Sequence, residues 1–371
     1  MVASISARKS VAAAVSYFKH MASDEYYTGK GEQQPEAEAD GEWAGRGAER
    51  LALEGPVSKA DFEAMLSGRD PKTGERLTQP GKSHAPGWDM TFSAPKSVSV
   101  MWALAPEADR KATEAAHRSA VHAATTHLED THAFTRRGKG GAVREPVAGL
   151  TIARFHHHTS RDLDPQLHTH AFIFNCAPRR DGSWGSLVSR DLYKAQKEAG
   201  AVYRAHLAHE LERGGHAVDR YGTTFRLTAI PRDIERAFSK RRQAIEQAAD
   251  TYGYRSPKGM EQAALRTRQA KRPAQRAALF EAWKQEARAL GFDLSRARLQ
   301  VARAPAHGQQ AKNGSRPAPA PSTDRVLASA QRMLSVIAET SRATSSGDSG
   351  LAANLRERAN PGDLPSERER D

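Results

Sequence analysis

Histidines are concentrated in one short stretch of this chain, and that stretch constrains the fold more than any other feature. Five of the 15 histidines fall within residues 156–170, namely His156, His157, His158, His168 and His170. His168 and His170 are two residues apart, so in a β-strand both rings project from the same face. An antiparallel neighbour ending near His157 brings a third imidazole to the same point, and Asp164-Pro165 is typical of the connecting turn.

Three converging neutral imidazoles suit a divalent cation and leave coordination positions open for a substrate oxygen. Spacing alone does not decide which of His156, His157 and His158 is the third ligand. Nor does it separate a phosphoryl-transfer enzyme from a zinc hydrolase. The alternative is that these histidines are scattered over a surface or a core, and a His-x-His strand inside the cluster disfavours it.

Charge and cysteine content narrow the partners and the compartment. The chain has 371 residues and a formal net charge of +12, which suggests a polyanionic partner, either nucleic acid or an anionic membrane surface. No apolar run approaches the ~20 residues that a membrane span needs, and the apolar stretch 11–15 is too short for a signal peptide. Cys176 is the only cysteine, so an internal disulfide is excluded and a cytoplasmic location is expected.

Hydrophobic spacing predicts an α+β fold with a mainly antiparallel central sheet that carries the His-x-His strand, and with helices packed on that sheet. The expected elements are strands at 1–5, 88–93, 150–155, 168–175 and 224–227, and helices at 10–21, 106–128 and 191–213. Residues 134–141 predict a basic hairpin whose glycines form the turn. Residues 232–276 are helical in pattern, with breaks near Gly253 and Pro257.

Composition also predicts the domain boundary. Residues 1–300 are expected to form one domain, because the sequence after them changes to Ala, Pro, Ser and Gly. Residues 301–371 are therefore predicted to be a linker or tail, interrupted by a short helix near 323–340. The sequence contains no GxxxxGK[ST] phosphate loop of the kind that marks an NTPase.

Four blocks of sequence, in the same order, resemble the MobF class of conjugative relaxases, the TrwC/TraI type of HUH endonuclease. They are the tyrosines Tyr17, Tyr26 and Tyr27, the segment 43–49, the segment 89–99, and the histidine segment with Thr159-Ser160-Arg161. The resemblance covers residues 1 to about 295 and stops at the tail. It implies the HUH relaxase fold, a palm or RRM-like sheet flanked by helices.

The resemblance implies a site- and strand-specific DNA transesterase that nicks the origin of transfer of a conjugative element, holds the strand as a 5′-phosphotyrosyl intermediate, and rejoins it. It implies His157, His168 and His170 as metal ligands. Mg²⁺ or Mn²⁺ is the expected ion, and Zn²⁺ or Ni²⁺ also suits the site. His158 stands where the family usually has an acid, a departure expected to tune the surroundings of the ligands.

The same resemblance assigns the nucleophile. Tyr17 is the expected primary nucleophile, and Tyr26, with Tyr27 as its substitute, is expected to serve a second strand transfer. The alternative is that Tyr26 and Tyr27 stack on DNA bases. Asp89 shares a strand face with Thr91 and is expected to orient a ligand histidine or to accept the tyrosine proton.

Basic residues are expected to bind the DNA. Arg136, Arg137 and Lys139 at the hairpin tip resemble a probe that enters a groove of an inverted-repeat hairpin beside the nick. Arg161 is expected to clamp a phosphate, or alternatively to form a structural salt bridge. Backbone contacts are expected from Lys96, Lys240, Arg241 and Arg242. Accessory relaxosome proteins and a type IV secretion coupling protein are further partners that the resemblance implies.

Three other functions are compatible with part of these sequence features. A rolling-circle replication initiator shares the HUH chemistry but replicates DNA, and the genetic context would separate it from a relaxase. A three-histidine metallohydrolase would use an activated water and form no covalent DNA adduct. A non-catalytic origin-binding protein would not need Tyr17 or the histidines.

Overall fold

The central feature of the fold is a five-stranded antiparallel sheet. A computed structural model describes residues 3–21, 41–79, 85–268 and 276–303. The strands of the sheet lie in the order β1-β3-β7-β6-β2. Their bounds are β1 Ala3–Arg8, β2 Glu42–Ala44, β3 Gly87–Ser93, β6 Ile152–Thr159 and β7 Pro165–Phe174. Three two-stranded ribbons complete the strands of the described residues: β4 Phe134–Arg137 with β5 Val143–Pro146, β8 Ala177–Pro178 with β9 Trp184–Gly185, and β10 Val218–Tyr221 with β11 Thr224–Leu227.

Helices cover both faces of the sheet, which confirms the predicted α+β class. Their bounds are α1 Val11–Met21, α2 Arg46–Arg50, α3 Lys59–Leu66, α4 Lys96–Leu104, α5 Glu107–Thr131, α6 Ser189–Arg213, α7 Arg232–Ala237, α8 Lys240–Thr251, α9 Pro257–Arg266, α10 Arg276–Ala289 and α11 Leu294–Arg303. In the described part of the chain, no helix is both long enough and apolar enough to cross a bilayer.

Strand alternation divides the buried side chains into two cores. On the first face, Met90 and Phe92 of β3 and Ile173 of β7 pack with residues of α4, α5 and α6. On the second face, aromatic residues of β6 and β7 pack against α1 and α3, and Phe62 lies at their centre, fully buried. Its ring centroid lies 4.9 Å from that of Phe172. The core on the second face is smaller. It does not cover the end of β6 and β7 near their connecting turn, where polar side chains lie.

Helix α1 is held against the second face by a short apolar stripe. Ser10 precedes the helix, and its Oγ accepts a hydrogen bond from the amide of Ala13, which satisfies one of the free N–H groups of the first turn. Ala14 and Phe18 are four residues apart and both are buried in the second core. Tyr17 precedes Phe18, so its side chain lies at the edge of this stripe.

The turn between β6 and β7 sets the register of the histidine strands. Residues His157 and His168 face each other across the two strands, and a β-bulge follows between His157 and Thr159. Leu163 has a φ of 60°, a conformation that costs energy for a side-chain-bearing residue. The indole of Trp283 on α10 donates to the Leu163 carbonyl at 2.8 Å, which holds the turn in place.

Most predicted elements are confirmed, with shifted ends. The first strand runs to Arg8 rather than to residue 5, and α5 continues to Thr131. The basic hairpin is also confirmed, with left-handed glycines at Gly138, Gly140 and Gly141. Tyr26, Tyr27 and the helix predicted near 323–340 lie outside the described residues. The boundary at residue 300 stays a prediction.

Candidate active site

The three histidines that resemble metal ligands meet on the second face of the sheet. Each pair of ring centroids among His157, His168 and His170 is separated by 5.2 Å. One nitrogen of each ring lies within 4.8 Å of the other two. His157 comes from β6, as the resemblance implied, and His168 and His170 come from β7, where alternation puts both rings on one face. The structure therefore brings the predicted triad together.

Hydrogen bonds at the outer ring nitrogens orient two of these imidazoles. Nδ1 of His168 donates to the carbonyl of Gln166 at 3.0 Å, and Nδ1 of His170 lies 3.0 Å from the carboxylate of Asp89. A donor at Nδ1 leaves the lone pair of a neutral ring at Nε2, where it can bind a cation. Burial, together with the charge of His170, lowers the pKa of His168 to about 3, so this ring is neutral. The donor set fits a divalent ion.

Tyr17 lies directly beside the triad. Its hydroxyl donates to Oδ2 of Asp89 at 2.6 Å and lies 3.1 Å from Nδ1 of His170. The guanidinium of Arg8 stacks over the Tyr17 ring, 3.5 Å from the ring centroid. Burial and the carboxylate of Asp89 raise the pKa of Tyr17 above its usual value, and the charges of Arg8 and Arg161 oppose that rise. The phenol is therefore protonated while Asp89 is charged.

Asp89 is the acceptor that joins these groups. It lies on β3, and its side chain is almost fully buried. Burial alone would raise its pKa, but the charge and hydrogen bond of His170, the hydrogen bond of Tyr17 and the charge of Arg8 hold the pKa below its usual value. The carboxylate thus contacts the two groups on which it is expected to act, the ligand histidine and the tyrosine hydroxyl.

Two further residues belong to this site: Thr91, whose strand face was predicted without a role, and Arg8, which was missed from the sequence. Thr91 Oγ lies 3.3 Å from Asp89 and 3.1 Å from His170, and Arg8 lies 3.4 Å from Asp89. A strand ending at residue 5 gave no reason to consider Arg8. The pairing of β1 with β3 could have pointed to it, since Ser6 lies opposite Asp89 and Arg8 is two residues further along the same face.

The remaining histidines of the segment face the other side of the sheet. His156 hydrogen-bonds Thr169 at 2.7 Å, and Thr169 in turn bonds His117 of α5 at 2.8 Å. His158 stacks on Trp102, with ring centroids 5.1 Å apart and planes at 14°. The expectation that His158 tunes the surroundings of the ligands stays a prediction. Strand alternation turns its ring into the first core, and His158 is among the groups that lower the pKa of His168.

The predicted DNA contacts fall into two groups. Arg136 and Lys139 are exposed near the hairpin tip, whereas Arg137 is paired with Glu145 at 3.1 Å and Asp181 at 2.7 Å. Arg242 is exposed and paired with Glu246.

The other group is engaged inside the protein. The ammonium of Lys96 donates to the Pro165 carbonyl at 2.9 Å, and burial lowers its pKa to about 8. The guanidinium of Arg241 donates to the carbonyls of Ala264 and Thr267, each at 2.6 Å, which ties α8 to the end of α9. DNA contacts from Lys96 and Arg241 stay predictions, and they would require these bonds to break.

A basic cleft lies next to the turn that joins the histidine strands. It has a volume of about 750 Å³, and its cationic lining consists of Arg161, Lys240, Arg266 and Arg268. Lys240 also pairs with Glu286 at 2.7 Å. Tyr252 lines the same cleft, with Arg266 stacked 4.4 Å from its ring centroid. Sequence patterns had not indicated that Arg161 and the helices after residue 232 share one surface.

Solved structures that share this fold define the class of protein as a relaxase. The conjugative relaxase TrwC in complex with oriT DNA, in its metal-bound form, is 34% identical with a TM-score of 0.67 and is covered over 99% of its length by 79% of this chain. A copper-bound TrwC–oriT complex has a TM-score of 0.68 at 35% identity, with the same coverage. A sequence model of the TrwC relaxase family matches residues 11–290. The chain belongs to the TrwC relaxase family.

Curated relatives lead to the same family. Two multifunctional conjugation proteins TraI, one from Escherichia coli strain K12 and one from Escherichia coli, are each 35% identical to this chain over 283 residues. The aligned part is 72% of this chain and 16% of each relative. The chain therefore spans a small part of the length of the curated relatives that it matches.

Proposed function

We propose that this chain is a conjugative relaxase that cuts one DNA strand at an origin of transfer and later rejoins it, with Tyr17 as the nucleophile. The observation that carries the proposal is the position of the Tyr17 hydroxyl, 2.6 Å from Asp89 and 3.1 Å from a histidine of the triad. The solved TrwC structures contain oriT DNA, and one of them contains a recognition hairpin and a cleavage site. This chain shares their fold over nearly their whole length.

In the proposed reaction the phenol oxygen of Tyr17 attacks the scissile phosphorus in line with the departing 3′-oxygen. The new bond joins the tyrosine oxygen to the 5′-phosphate, and the bond that breaks is the one from phosphorus to O3′. The phenol proton moves to Oδ2 of Asp89, and the departing O3′ takes up a proton from solvent, so the leaving strand ends in a 3′-hydroxyl. One phosphodiester replaces another, so the reverse attack by a 3′-hydroxyl rejoins the strand.

The triad and Asp89 have different roles in the proposed reaction. His157, His168 and His170 would hold a divalent cation, which neutralises charge on the phosphate and makes the phosphorus more electrophilic. Asp89 keeps the ring of His170 in its orientation and accepts the phenol proton. Arg8 lies over the Tyr17 ring and restricts the direction from which the hydroxyl approaches.

The surroundings of Tyr17 favour the protonated phenol. Burial and Asp89 raise the pKa of Tyr17, while the partners of Asp89 lower the pKa of that carboxyl. The proton therefore stays on the phenol until its oxygen begins to bond to phosphorus, which makes the phenol far more acidic. This arrangement couples deprotonation to attack and limits side reactions at a free phenolate.

The DNA would run from the triad along the basic cleft. Arg161 lies in the turn between β6 and β7, and its charge reaches Tyr17. The same residue lines the cleft with Lys240 and Arg268. Tyr252 offers a ring on which an unpaired base can stack. The hairpin tip, with Arg136 and Lys139 exposed, would contact duplex DNA beside the nick.

A covalent adduct tests the proposal. The full chain is incubated with single-stranded oligonucleotides that cover the origin of transfer next to its gene, and the products are separated in SDS. We expect a protein–DNA adduct that survives denaturation, and mass spectrometry of its peptides should find the nucleotide on Tyr17. Cleavage with free 5′-phosphate and no adduct would point instead to a metallohydrolase that uses water. Binding without cleavage would point to an origin-binding protein.

Removal of the metal should stop cleavage. We expect EDTA, or His168→Ala at any metal concentration, to slow adduct formation by about 10²-fold or more, because a catalytic cation stabilises several kcal/mol of charge in the transition state. Mg²⁺ or Mn²⁺ should restore activity to the EDTA-treated chain only. His122→Ala, which removes an exposed histidine of α5, should behave like the unchanged protein. Undiminished cleavage after His168→Ala would refute a role for the triad.

The hairpin tip should contribute affinity rather than chemistry. Arg136→Ala combined with Lys139→Ala is expected to weaken binding of an inverted-repeat hairpin oligonucleotide by about tenfold and to reduce the slope of log K against log salt by about 2, one per lost phosphate contact. Fluorescence anisotropy over a salt series measures both quantities. The matched variant Arg50→Ala with Lys59→Ala also removes two exposed cations, and should leave the slope unchanged. Equal slopes for the two double variants would show that the hairpin tip makes no phosphate contacts.

Some predictions go beyond these residues. A second strand transfer by Tyr26 or Tyr27 and contacts with accessory relaxosome proteins or a coupling protein stay predictions, as does a cytoplasmic location. Membership of the TrwC relaxase family supports transfer over rolling-circle replication. The choice of Mg²⁺ or Mn²⁺ over the copper of one solved relative is likewise part of the proposal.

A further inference from the structure

A second cluster of metal-ligating side chains lies away from the active site. His127 is near the end of α5, His132 directly follows that helix, and Glu198 is on α6. The two carboxylate oxygens of Glu198 each meet one imidazole: Oε1 lies 2.7 Å from Nε2 of His127, and Oε2 lies 2.9 Å from Nε2 of His132. One ligand atom from each residue lies within 4.8 Å of the other two.

This cluster is separate from the catalytic triad. Helices α5 and α6 pack on the first face of the sheet, whereas the triad faces α1 on the second face. The side chains of His127, His132 and Glu198 are 19%, 26% and 30% exposed, so an ion can reach them from solvent. The proposed DNA cleavage uses none of the three.

We propose that His127, His132 and Glu198 form a second metal site, one that binds a divalent transition metal of the Zn²⁺ type. Two imidazoles and one carboxylate are a donor set that suits Zn²⁺ and leave a fourth position for water. Ligand atoms in a tetrahedral zinc site lie about 3.4 Å apart, whereas Nε2 of His127 lies 2.7 Å from Oε1 of Glu198. This separation must therefore grow by roughly 0.7 Å when the ion binds. Partly exposed side chains can make that adjustment.

Protons and the metal compete for the same atoms. In the metal-free cluster a hydrogen lies between each Nε2 and the carboxylate, and it must move to Nδ1 or leave to solvent before the nitrogen can bind an ion.

The site lies at the base of the basic hairpin, which gives it a structural consequence. Phe134, the first residue of β4, follows His132 by two positions, and its carbonyl accepts from the amide of Val188 just before α6. Arg144 of β5 stacks 3.4 Å from the Phe134 ring centroid and pairs with Asp191 of α6 at 3.1 Å. An ion shared by α5 and α6 would cross-link the elements on which the hairpin is mounted.

Metal stoichiometry in a background without the catalytic site tests the proposal. The full chain carrying His168→Ala is dialysed at a buffered free Zn²⁺ concentration in the micromolar range, and bound zinc is measured by mass spectrometry. We expect one ion per chain, and none when Glu198→Gln or His132→Gln is added. Glu210→Gln, which alters another α6 carboxylate that lies near a histidine, is the matched control and should retain the ion.

A second readout separates metal binding from misfolding. Zn²⁺ should raise the thermal midpoint of the His168→Ala chain by several degrees, in keeping with binding to the folded state only, and should have no such effect after Glu198→Gln. The two chains should melt at similar temperatures in EDTA. The proposal is overturned if the His168→Ala chain binds no zinc, or if the ion persists in both Glu198→Gln and His132→Gln. Neither result would affect Tyr17 as the proposed nucleophile.

Discussion

Tyr17→Phe is expected to reduce covalent adduct formation by at least about 10³-fold, the scale of loss seen when a nucleophile is removed from an enzyme that retains its binding groups. The substitution deletes one oxygen and keeps the ring. The edge contact with His170, at 5.9 Å between centroids, and the stacking of Arg8 at 3.5 Å should remain. DNA affinity should therefore change little. Adduct yield against time in SDS gels and anisotropy titrations on the same oligonucleotide measure the two effects separately.

Tyr193→Phe provides the matched control, since this tyrosine is exposed on α6. It should form adduct at the unchanged rate. If Tyr17→Phe forms adduct as fast as the unchanged protein, the nucleophile is another tyrosine, and Tyr26 and Tyr27 become the first candidates. If it loses affinity and adduct together, Tyr17 acts in binding and the assignment of chemistry fails.

The sequence predicted the part of the site that depends on strand alternation. His168 and His170 are two apart, and Asp89 and Thr91 are two apart, so each pair had to share a face. The antiparallel pairing of β3 with β7 then sets Thr91 opposite His170. Local spacing is enough for such pairs, because the period of a strand is fixed by backbone geometry.

The choice among His156, His157 and His158 depended on long-range packing. Alternation gives two possible faces for this run, and only the helices that cover the sheet decide which face holds the site. His157 shares its face with Phe155, which packs under α1 with Phe18 at 5.7 Å. His158 instead stacks on Trp102 of α4. The sequence around His156, His157 and His158 does not show which helices pack on each face of the sheet.

The roles of the basic residues also depend on long-range packing that the local sequence does not show. A cation in a motif gives charge but not the location of its partners. Lys96 bonds a carbonyl of β7 and lies near the buried Asp164, and Arg241 joins two helices. Both sets of partners are distant in sequence. The cluster of His127, His132 and Glu198 was likewise hidden, since it forms only where α5 and α6 pack.

Asp89→Asn is expected to lower the rate of adduct formation by about 10²- to 10³-fold even at saturating metal. A positioned general base contributes about 10²- to 10⁴-fold, and an amide oxygen is a far weaker proton acceptor than the carboxylate that receives the Tyr17 hydrogen bond. The substitution also removes the charge that orients His170, so metal affinity should fall about 10- to 100-fold. Adduct rates over a Mn²⁺ titration separate the two effects, because only the second disappears at high metal.

The control for Asp89→Asn is Asp219→Asn, an exposed carboxylate of β10, which should leave both rate and metal dependence unchanged. Circular dichroism should show that the Asp89 variant is folded, because Asn keeps the size of the side chain. The substitution does remove the buried counter-charge of Arg8. Full recovery of the rate at high Mn²⁺ would show that Asp89 acts only through His170. The phenol proton would then have to leave by another path, and the arrangement of Tyr17 over Asp89 would serve positioning rather than proton transfer.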